Sequence, residues 1–297
     1  MTGAPSITET LAELRTSALV TAALASALGD ERASTPAEAL SVDPARAAVL
    51  GALPDAESML SALWEGRRSR SSNLVSGLSQ AAAAAGGTMR AWSDLGDDVM
   101  IAQGRSSALM ARVLLSAVAP AYGLIGAVAP SRVLDVGTGI GAIATALAEG
   151  LPDARVVGID IAERPLEIAR DLLRDADPRV AQRIRLRRED VTELADEERY
   201  DVVWMPLPFL PDAIVDRALD RAIGALHPGG LLVLGTGAPI ADERLRAAEA
   251  WLASFTGGGT LTTDEVVGRL TRRGLQRVQR FDTVPGGPVL VGAVRPR

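Results

Sequence analysis

The fold is decided by the stretch Val133-Leu134-Asp135-Val136-Gly137-Thr138-Gly139-Ile140-Gly141, in which a short apolar run ends in alternating glycines. The apolar run predicts a buried strand, and the residues after Gly141 predict a helix. Gly137 and Gly139 let the backbone turn tightly and approach a ligand without a Cβ atom in the way. The N-terminus of the following helix would point unpaired N–H groups at that ligand. Taken alone, this turn fits a dinucleotide as well as other nucleoside-bearing molecules.

Carboxylates end the next two predicted strands. Asp160 ends the second strand, and a carboxylate at that position can accept both hydroxyl groups of a ribose. Such a contact fits NAD and S-adenosylmethionine (SAM) alike. Glu189 and Asp190 end the third strand, where a carboxylate can receive the amino group of adenine. The sequence therefore predicts ribose and adenine contacts at the ends of two different strands.

Short apolar runs alternate with longer helical stretches from Arg132 onward, which predicts a mostly parallel sheet with helices on both faces. The last two strands follow each other without a helix, and Gly286-Gly287 between them predicts an antiparallel hairpin at one edge. The predicted strands are Arg132–Val136, Arg155–Asp160, Ile184–Arg188, Tyr200–Met205, Gly230–Leu234, Leu275–Val284 and Pro288–Arg295. The predicted helices are Gly141–Glu149, Glu163–Arg174, Asp212–Leu226, Asp242–Phe255 and Thr263–Arg272.

The first hundred residues are predicted to be helical throughout. A capping side chain followed by proline marks helix starts at Thr35-Pro36 and Asp43-Pro44. Val113–Pro130 carries no charge over nearly the length of a membrane span, but Pro120 and Gly123 interrupt it. We therefore expect a pair of short buried helices there.

These segments together resemble the class I SAM-dependent methyltransferases. The fourth strand contributes Tyr200-Asp201-Val202-Val203-Trp204, and Leu226-His227-Pro228-Gly229-Gly230 precedes the fifth. The resemblance covers about Arg132–Arg297, and the terminal hairpin is this family's ending rather than that of dinucleotide dehydrogenases. It implies a seven-stranded Rossmann-like α/β sheet, mostly parallel, preceded by an all-helical N-terminal domain. We place the helical domain at residues 1–103 and the SAM-binding domain at residues 104–297.

The resemblance implies SAM as the cofactor and S-adenosylhomocysteine (SAH) as a product. Asp135 would face the amino group of the methionine part, and the glycine-rich loop would pass under that part and the ribose. Asp160 would hold the ribose hydroxyls, and Asp190 with Val191 would bracket the adenine. Met205 would line the pocket near the methyl group. The cofactor-binding candidates are Asp135, Gly137, Thr138, Gly139, Asp160, Ile161, Glu189, Asp190, Val191, Met205 and Arg105.

The proline-rich segment after the fourth strand bears on the substrate. Amino-methylating relatives carry an Asn/Asp-Pro-Pro-aromatic motif where this chain has Met205-Pro206-Leu207-Pro208-Phe209. The leading Asn or Asp is missing, which weakens an interpretation in which a nucleobase or glutamine nitrogen is methylated. We expect a shaped apolar wall that uses Pro206 and Phe209 to contact substrate; stiffening of the loop alone is the alternative.

Residues upstream of the sheet are further candidates for the substrate side. The resemblance places the helices just before the first strand over SAM and around the substrate cavity. Trp92 could then stack on the substrate, and Arg105 could meet the SAM carboxylate through a charged fork. The candidate bases are Asp94, Asp97 and Asp98. For each of these residues, an exposed helix end or an ordinary core position is the alternative.

Absent residue types exclude several kinds of chemistry. The chain has no Cys, which excludes disulfides, thiolate nucleophiles and Cys-ligated metal centres, and it has no Lys, which excludes a Schiff-base lysine. His227 is its single histidine, and a position in the turn before the fifth strand favours a structural role. We expect no metal centre. The formal net charge of −6 argues against a nucleic-acid partner.

The N-terminal region bears on location and assembly. Leu19–Leu28 is apolar, but it follows Glu9, Glu13 and Arg15 rather than the positive leader of a secretory signal. We therefore expect a soluble helix, no membrane partner and a cytoplasmic location. Ala18–Leu53 resembles the winged-helix dimerisation domain of small-molecule O-methyltransferases. That resemblance implies a homodimer, or a heterodimer with a related subunit.

The leading hypothesis is methyl transfer from SAM to a small, fairly apolar molecule. High Ala, Arg and Gly usage without Lys suggests a GC-rich bacterial genome, where such enzymes often tailor natural products. In a second hypothesis the chain binds SAM as a fixed cation for elimination or ring closure, as in aziridine-forming relatives, without transferring its methyl group. A third is a non-catalytic SAM-binding partner subunit.

Overall fold

The computed structural model describes residues 6–87, 94–123, 132–283 and 287–297. The chain forms two compact units, Met1–Ala82 and Ala83–Arg297. The predicted domain boundary after residue 103 differs from this division, because residue 103 lies in a helix that packs against elements of the second unit. The assignment of separate functions to residues 1–103 and 104–297 stays a prediction.

Side-chain caps mark where α1, α2 and α3 begin, and those at Thr35 and Asp43 are the ones that the sequence predicted. Ser6 and Glu9 form a reciprocal capping box, in which the Ser6 backbone N–H donates to Glu9 Oε2 over 2.7 Å. Thr35 and Asp43 each accept a hydrogen bond from the backbone N–H three residues later. The described helices that begin in this unit are α1 (Ile7–Gly29), α2 (Pro36–Ser41), α3 (Pro44–Gly51), α4 (Ala56–Leu63) and α5 (Arg67–Ala85).

Helix α1 leaves most of its apolar residues uncovered by its own unit. Ile7, Leu11 and Leu14 are 81%, 61% and 63% exposed, and their spacing of four and three places them on one face of the helix. Among the described residues, α1 is also the one helix long and apolar enough to span a bilayer. Core helices of soluble proteins and signal sequences share that property, so it is a weak indication.

Arginine side chains close the C-terminal ends of three helices. Arg67 donates to three backbone carbonyls just past α1. In the second unit, Arg183 donates to the carbonyls at the end of α8 (Ala142–Gly150), and Arg295 does the same for α11 (Asp212–Ala225). The last carbonyls of a helix have no partner within it, and a planar guanidinium can satisfy two or three of them at once.

The second unit is built on a seven-stranded sheet, which confirms the predicted fold class. The strand order is β3-β2-β1-β4-β5-β7-β6; the first five strands are parallel, and β7 is antiparallel to both of its neighbours. The strands are β1 (Arg132–Val136), β2 (Arg155–Asp160), β3 (Ile184–Arg188), β4 (Tyr200–Pro206), β5 (Leu226–Gly235), β6 (Gln276–Asp282) and β7 (Val289–Val294).

Strand β5 begins earlier than the sequence predicted. The sequence predicts a strand that starts at Gly230, with His227 in a turn before it, yet Leu226 already pairs with Tyr200, ahead of an irregularity in the β4–β5 register. His227 therefore lies in the first part of a strand. The predicted hairpin of the last two strands is confirmed, although residue 286 of its expected Gly-Gly turn lies outside the described residues.

Helices cover both faces of this sheet, and each face has its own apolar core. Helix α6 (Asp97–Val113) runs on through a π-helical turn, Leu114–Val118, into α7 (Ala119–Ala121). Pro120 lies in the first turn of α7, a position that tolerates its missing N–H. The predicted pair of short helices stays a prediction, because residues 124–130 of that segment lie outside the described residues. The remaining helices are α9 (Glu163–Arg174), α10 (Pro178–Ala181), α12 (Glu243–Thr256) and α13 (Thr263–Arg272).

Candidate functional site

The glycine-rich turn after β1 has the backbone that its sequence requires. Gly137, Gly139 and Gly141 have φ values of 66°, 54° and 75°, in the left-handed region that favours glycine. A Cβ atom on Gly139 would have no atom within 4 Å, so the space beside the turn is open. The turn is therefore shaped as a cradle that a ligand can approach closely.

Thr138 anchors this turn to β1 and β2. Its backbone N–H donates to the Ile159 carbonyl over 2.9 Å, and its hydroxyl donates to Asp135 Oδ2 over 2.7 Å. The Thr138 side chain fills the space beside Gly158, where a Cβ atom would lie 2.6 Å from its Oγ1. Gly158 is thus required on β2, a constraint that the sequence analysis missed.

Asp135 is fully buried, and its second carboxylate oxygen, Oδ1, has no hydrogen-bond partner. Burial raises the pKa of Asp135 to about 7, an effect that the Thr138 hydroxyl and the Ala144 backbone N–H partly oppose and the charge of Asp160 reinforces. An unpaired carboxylate oxygen at the end of β1 fits a cationic or hydrogen-bond-donating group of a ligand.

Asp160 is held in place by two backbone amides at the end of β2. Gly139 N–H donates to Oδ2 and Ala162 N–H donates to Oδ1, each over 2.9 Å. Burial nevertheless raises the pKa of Asp160. Each carboxylate oxygen can accept more than one hydrogen bond, so the fixed group retains acceptor capacity for two hydroxyls. Ile161, the next residue, is 65% exposed and offers an apolar surface beside it.

At the end of β3, a hydrogen bond and an ion pair hold the side chains that are predicted to contact adenine. Asp190 Oδ1 accepts the Thr192 backbone N–H over 2.8 Å, which caps the short 3₁₀ helix Val191–Glu193. Glu189 lies 2.9 Å from the Arg187 guanidinium. Val191 is buried in the core of the sheet. The adenine role of these residues stays a prediction.

Strand β4 presents Pro206, not Met205, to the glycine-rich turn. Met205 is fully buried in the core on one face of the sheet, and Trp204 packs in the core on the opposite face. Pro206 follows on the Trp204 side, where its Cγ lies 3.7 Å from the position of a Cβ atom on Gly137. The expectation that Met205 lines the pocket is therefore corrected, because side chains alternate along a strand.

Helix α6 lies directly against the glycine-rich turn. A Cβ atom on Gly104 would lie 2.4 Å from Ile140 Cδ1, so glycine is required for this close approach. Met100, Ile140 and Ile168 form a small apolar cluster at the contact. Arg105 follows Gly104 on an exposed part of the helix. Glycine inside a helical pattern is the sequence signal that could have predicted this packing.

The three candidate bases do not share one environment. Asp97 receives two hydrogen bonds from Arg164 on α9, and this contact lowers its pKa. A carboxylate with a lowered pKa is a weaker base, and the ion pair links α6 to α9; the role of Asp97 as a base stays a prediction. Asp94 and Asp98 are exposed near the start of α6. Their role as bases stays a prediction.

Phe209 and Trp92 are the two aromatic candidates for contact with the substrate. Phe209 ends a short 3₁₀ helix after β4 and is 46% exposed, so an aromatic surface is available there. Trp92 lies outside the described residues. No group of three or more His, Cys, Asp or Glu side chains placed to hold a metal ion occurs within the described ranges.

Comparison with known proteins agrees with this geometry. Residues 133–230 match the family of the methyltransferase domain. A malonyl-[acyl-carrier protein] O-methyltransferase from Geobacter sulfurreducens is 31% identical over 169 residues, which cover 52% of this chain and 59% of that protein. The curated relatives are matched over between 26% and 59% of their own length.

Solved structures extend the likeness to the whole chain. An O-methyltransferase family protein from Burkholderia thailandensis superposes with a TM-score of 0.63 at 15% identity, covering 99% of both chains. Human N-acetylserotonin methyltransferase, solved in complex with SAM, gives a TM-score of 0.62 at 12% identity over 100% of both chains. At these identities the likeness shows the fold alone.

The sheet order, the glycine-rich turn and the matched domain define a class I methyltransferase fold with a helical N-terminal region. Within this fold, residues 133–230 match the methyltransferase domain family. The fold is the one that the sequence pattern predicted.

Proposed function

We propose that this chain binds SAM across the carboxyl ends of β1 and β2 and acts as a methyltransferase on a small, fairly apolar molecule. The observation that carries the proposal is the carboxylate of Asp160, fixed by two backbone amides beside an open glycine-rich turn. A pre-positioned acceptor of this kind loses little freedom when it binds two ribose hydroxyls.

Different residues of the site are proposed to bind different parts of SAM. Asp135 supplies an unpaired carboxylate oxygen for the amino group, and Arg105 is proposed to meet the carboxylate. Pro206 lies beside the turn and takes the place expected of Met205. The other proposed cofactor contacts are Gly137, Thr138, Gly139, Asp160, Ile161, Glu189, Asp190 and Val191.

SAM supplies an electrophilic methyl group, and its transfer to a nucleophile leaves SAH. The protein's part is to align the two reactants and to exclude water, which requires less acid–base assistance than most group transfers. Met100 on α6 packs against Ile140 of the turn, which favours exclusion of water. Phe209 and Trp92 are the proposed aromatic contacts to the acceptor molecule. Because aromatic side chains favour apolar partners, we propose that the acceptor is fairly apolar.

Calorimetry with SAM and SAH tests the cofactor, and an assay for SAH over a panel of small phenols, amines and enols tests the reaction. Saturable binding of both compounds with SAH release in at least one reaction is expected. Absence of SAM and SAH binding would contradict the proposal. Turnover of an acceptor with SAM recovered intact would favour use of SAM as a fixed cation, and binding without any turnover would favour a partner subunit.

Helix α1 supports dimer formation. Its exposed residues Ile7, Leu11 and Leu14 form an apolar stripe on a helix that its own unit leaves largely uncovered. A second copy of this chain is the proposed partner, since a matching stripe would bury both at once. A heterodimer with a related subunit is the alternative, and light scattering of the purified chain separates the two.

The biological setting is proposed from composition. A chain rich in Ala, Arg and Gly and without Lys is typical of GC-rich bacteria, which favours a role in natural-product biosynthesis. The acidic residues before the apolar part of α1, and the lack of cysteine, favour the cytoplasm. Identification of the neighbouring genes would test the first statement, and fractionation of cells would test the second.

A further inference from the structure

Three consecutive glycines, Gly257-Gly258-Gly259, follow helix α12. Gly257 has a φ of 70° and ends the helix in the left-handed conformation that favours glycine. Gly258 completes this ending, because its N–H donates to the Ala253 carbonyl over 3.0 Å. The end of α12 therefore accounts for the first two glycines, and the third has a different neighbour.

Gly259 lies directly against the segment that follows β4. Its N–H donates to the Pro208 carbonyl over 3.2 Å. A Cβ atom on Gly259 would lie 2.6 Å from the Leu210 carbonyl oxygen and 3.1 Å from that of Leu207. Backbone oxygens cannot turn away from such a contact as the end of a flexible side chain can, so a larger residue would displace the segment. Glycine is required here for the close approach of two backbones.

Thr260 holds the far end of the same segment. Its backbone N–H donates to the carboxylate of Asp212, at 3.1 Å from Oδ1 and 3.2 Å from Oδ2, and its hydroxyl donates to Oδ2 over 2.9 Å. Asp212 is the first residue of α11. The segment is thus held at Pro208 and at Asp212 by two consecutive residues of one loop.

The segment after β4 has few means of holding its own shape. Met205–Pro211 contains no polar side chain, and three of its seven residues are proline. Proline has no backbone N–H to donate, so the segment can make few hydrogen bonds to neighbouring elements. The contacts from Gly259 and Thr260 therefore supply what the segment lacks.

The turn held in this way has two different sides. Leu207–Phe209 is a 3₁₀ helix, in which side chains three residues apart lie on the same side. Leu207 and Leu210 are buried in the core on one face of the sheet. Pro206 and Phe209 share another side, where Pro206 lies beside the glycine-rich turn and Phe209 is 46% exposed. Pro206 and Phe209 thus form an apolar wall that leads from the cofactor turn toward solvent.

We propose that Gly259 and Thr260 are positioning residues for the methyl acceptor, because they fix this apolar wall beside the cofactor. The inference rests on the SAM-binding methyltransferase function proposed above. Methyl transfer depends on alignment of the acceptor with the methyl group, and a displacement of about 1 Å can lower the rate of such a reaction about 100-fold. The acceptor class that the wall fits is an aromatic ring, since aromatic rings pack on one another in stacked and edge-to-face arrangements.

Fluorine nuclear magnetic resonance tests the positioning without a ligand. The chain has three phenylalanines, so labelling with 4-fluorophenylalanine gives three resonances, and Phe209→Leu identifies the one from Phe209. This resonance is expected to move in Gly259→Ala and, by less, in Thr260→Val, which removes only the hydroxyl contact. Gly237→Ala is the matched control, because a Cβ atom at Gly237 has no atom within 4 Å. A Phe209 resonance that stays in place in Thr260→Val and in folded Gly259→Ala would overturn the proposal.

Titration with phenol tests the link to the acceptor. In the unaltered chain with SAH bound, phenol is expected to move the Phe209 resonance until it saturates. Phenol should bind about ten-fold more weakly to Gly259→Ala and more weakly to Thr260→Val, while the affinity for SAH measured by calorimetry stays the same. Gly237→Ala should resemble the unaltered chain in both measurements.

Three results of the titration have distinct meanings. A Phe209 resonance that phenol does not move in the unaltered chain would contradict the proposal, as would equal phenol affinity in the variants and the control. Parallel losses of SAH and phenol affinity would indicate a general packing role and contradict it as well. Failure of the unaltered chain to bind SAH would contradict the proposed function and leave the ligand-free comparison of Gly259→Ala with Gly237→Ala intact.

Discussion

The two units of this chain bury their apolar residues to very different extents. The first unit has one small cluster of buried residues, half of them alanine, and the exposed half of α1 adds nothing to it. The second unit has a large cluster on each face of its sheet. The second unit thus buries apolar residues on both faces of its sheet, whereas the first unit leaves much of an apolar helix exposed.

Truncation of a buried leucine in each unit should give the largest effects. Leu134 and Leu50 are both 0% exposed. Leu134→Ala should lower the free energy of unfolding by about 3–5 kcal/mol, and Leu50→Ala by about 2–3 kcal/mol, because a small alanine-rich core collapses more readily around a cavity. Denaturant titration measures both, with the exposed Leu11→Ala as control. A loss of unfolding free energy in Leu50→Ala that equals or exceeds the loss in Leu134→Ala would contradict this difference between the two units.

Asp135→Asn should stabilise the second unit and impair the site. The folded pKa of Asp135, about 7, lies above its unfolded value, so the protein loses stability as the pH rises from about 4 to 7. The neutral amide removes this loss, which amounts to at most about 4 kcal/mol at pH 8. Thermal unfolding should therefore show a gain at pH 8 that shrinks toward pH 4, together with weaker SAM binding.

The control for this variant is Asp98→Asn, at an exposed position on α6. It should change neither stability nor affinity. A gain in stability for Asp135→Asn that is the same at pH 4 and pH 8 would show that the buried charge is not its cause.

Asp160→Asn should weaken SAM and SAH binding by about 2–3 kcal/mol, because an amide cannot accept hydrogen bonds from the turn and from both ribose hydroxyls. That change is a loss of affinity of about 30- to 150-fold, which calorimetry can measure. Asp94→Asn, an exposed carboxylate outside the proposed cofactor contacts, is the matched control. An unchanged affinity in Asp160→Asn would remove the main support for the proposed function.

Leu14→Glu should have the smallest effect on the folded monomer and should act on assembly instead. Leu14 is 63% exposed, so a charge there is solvated in the monomer but would be buried at a dimer interface. Analytical ultracentrifugation should show a shift from dimer toward monomer, and thermal unfolding of the monomer should stay the same. Thr16→Glu, off the apolar stripe, should leave the dimer intact. A dimer that tolerates Leu14→Glu would place the interface elsewhere.

Much of the second unit could be predicted because its signals are local. The first three strands and helix α9 begin and end where the apolar runs and charged flanks indicate. Asp160 could be placed beside the glycine-rich turn because parallel strands of this topology end at one edge of the sheet. The start of β5 was missed, since pairing with Tyr200 overrides the turn preference of Pro228-Gly229.

The sequence alone does not show which face of the sheet each side chain occupies. Met205 and Pro206 are adjacent, and only the observed alternation shows that Pro206 faces the turn. The ion pair of Asp97 with Arg164 joins residues far apart in the chain, so no local pattern indicated that this candidate base has a charged partner. The pairing of Asp135 with Trp204 likewise depends on register, which no local pattern specifies.

The arginine forks at the ends of α1, α8 and α11 have a chemical consequence. No side chain in this sequence is a primary amine, and the ends of these three helices are closed by guanidinium groups. Reagents that acylate or cross-link amines therefore find no lysine in the scaffold, and guanidinium contacts persist at alkaline pH where an ammonium would be lost. A single lysine introduced at an exposed position would be the one side-chain amine available for attachment of a dye or a surface.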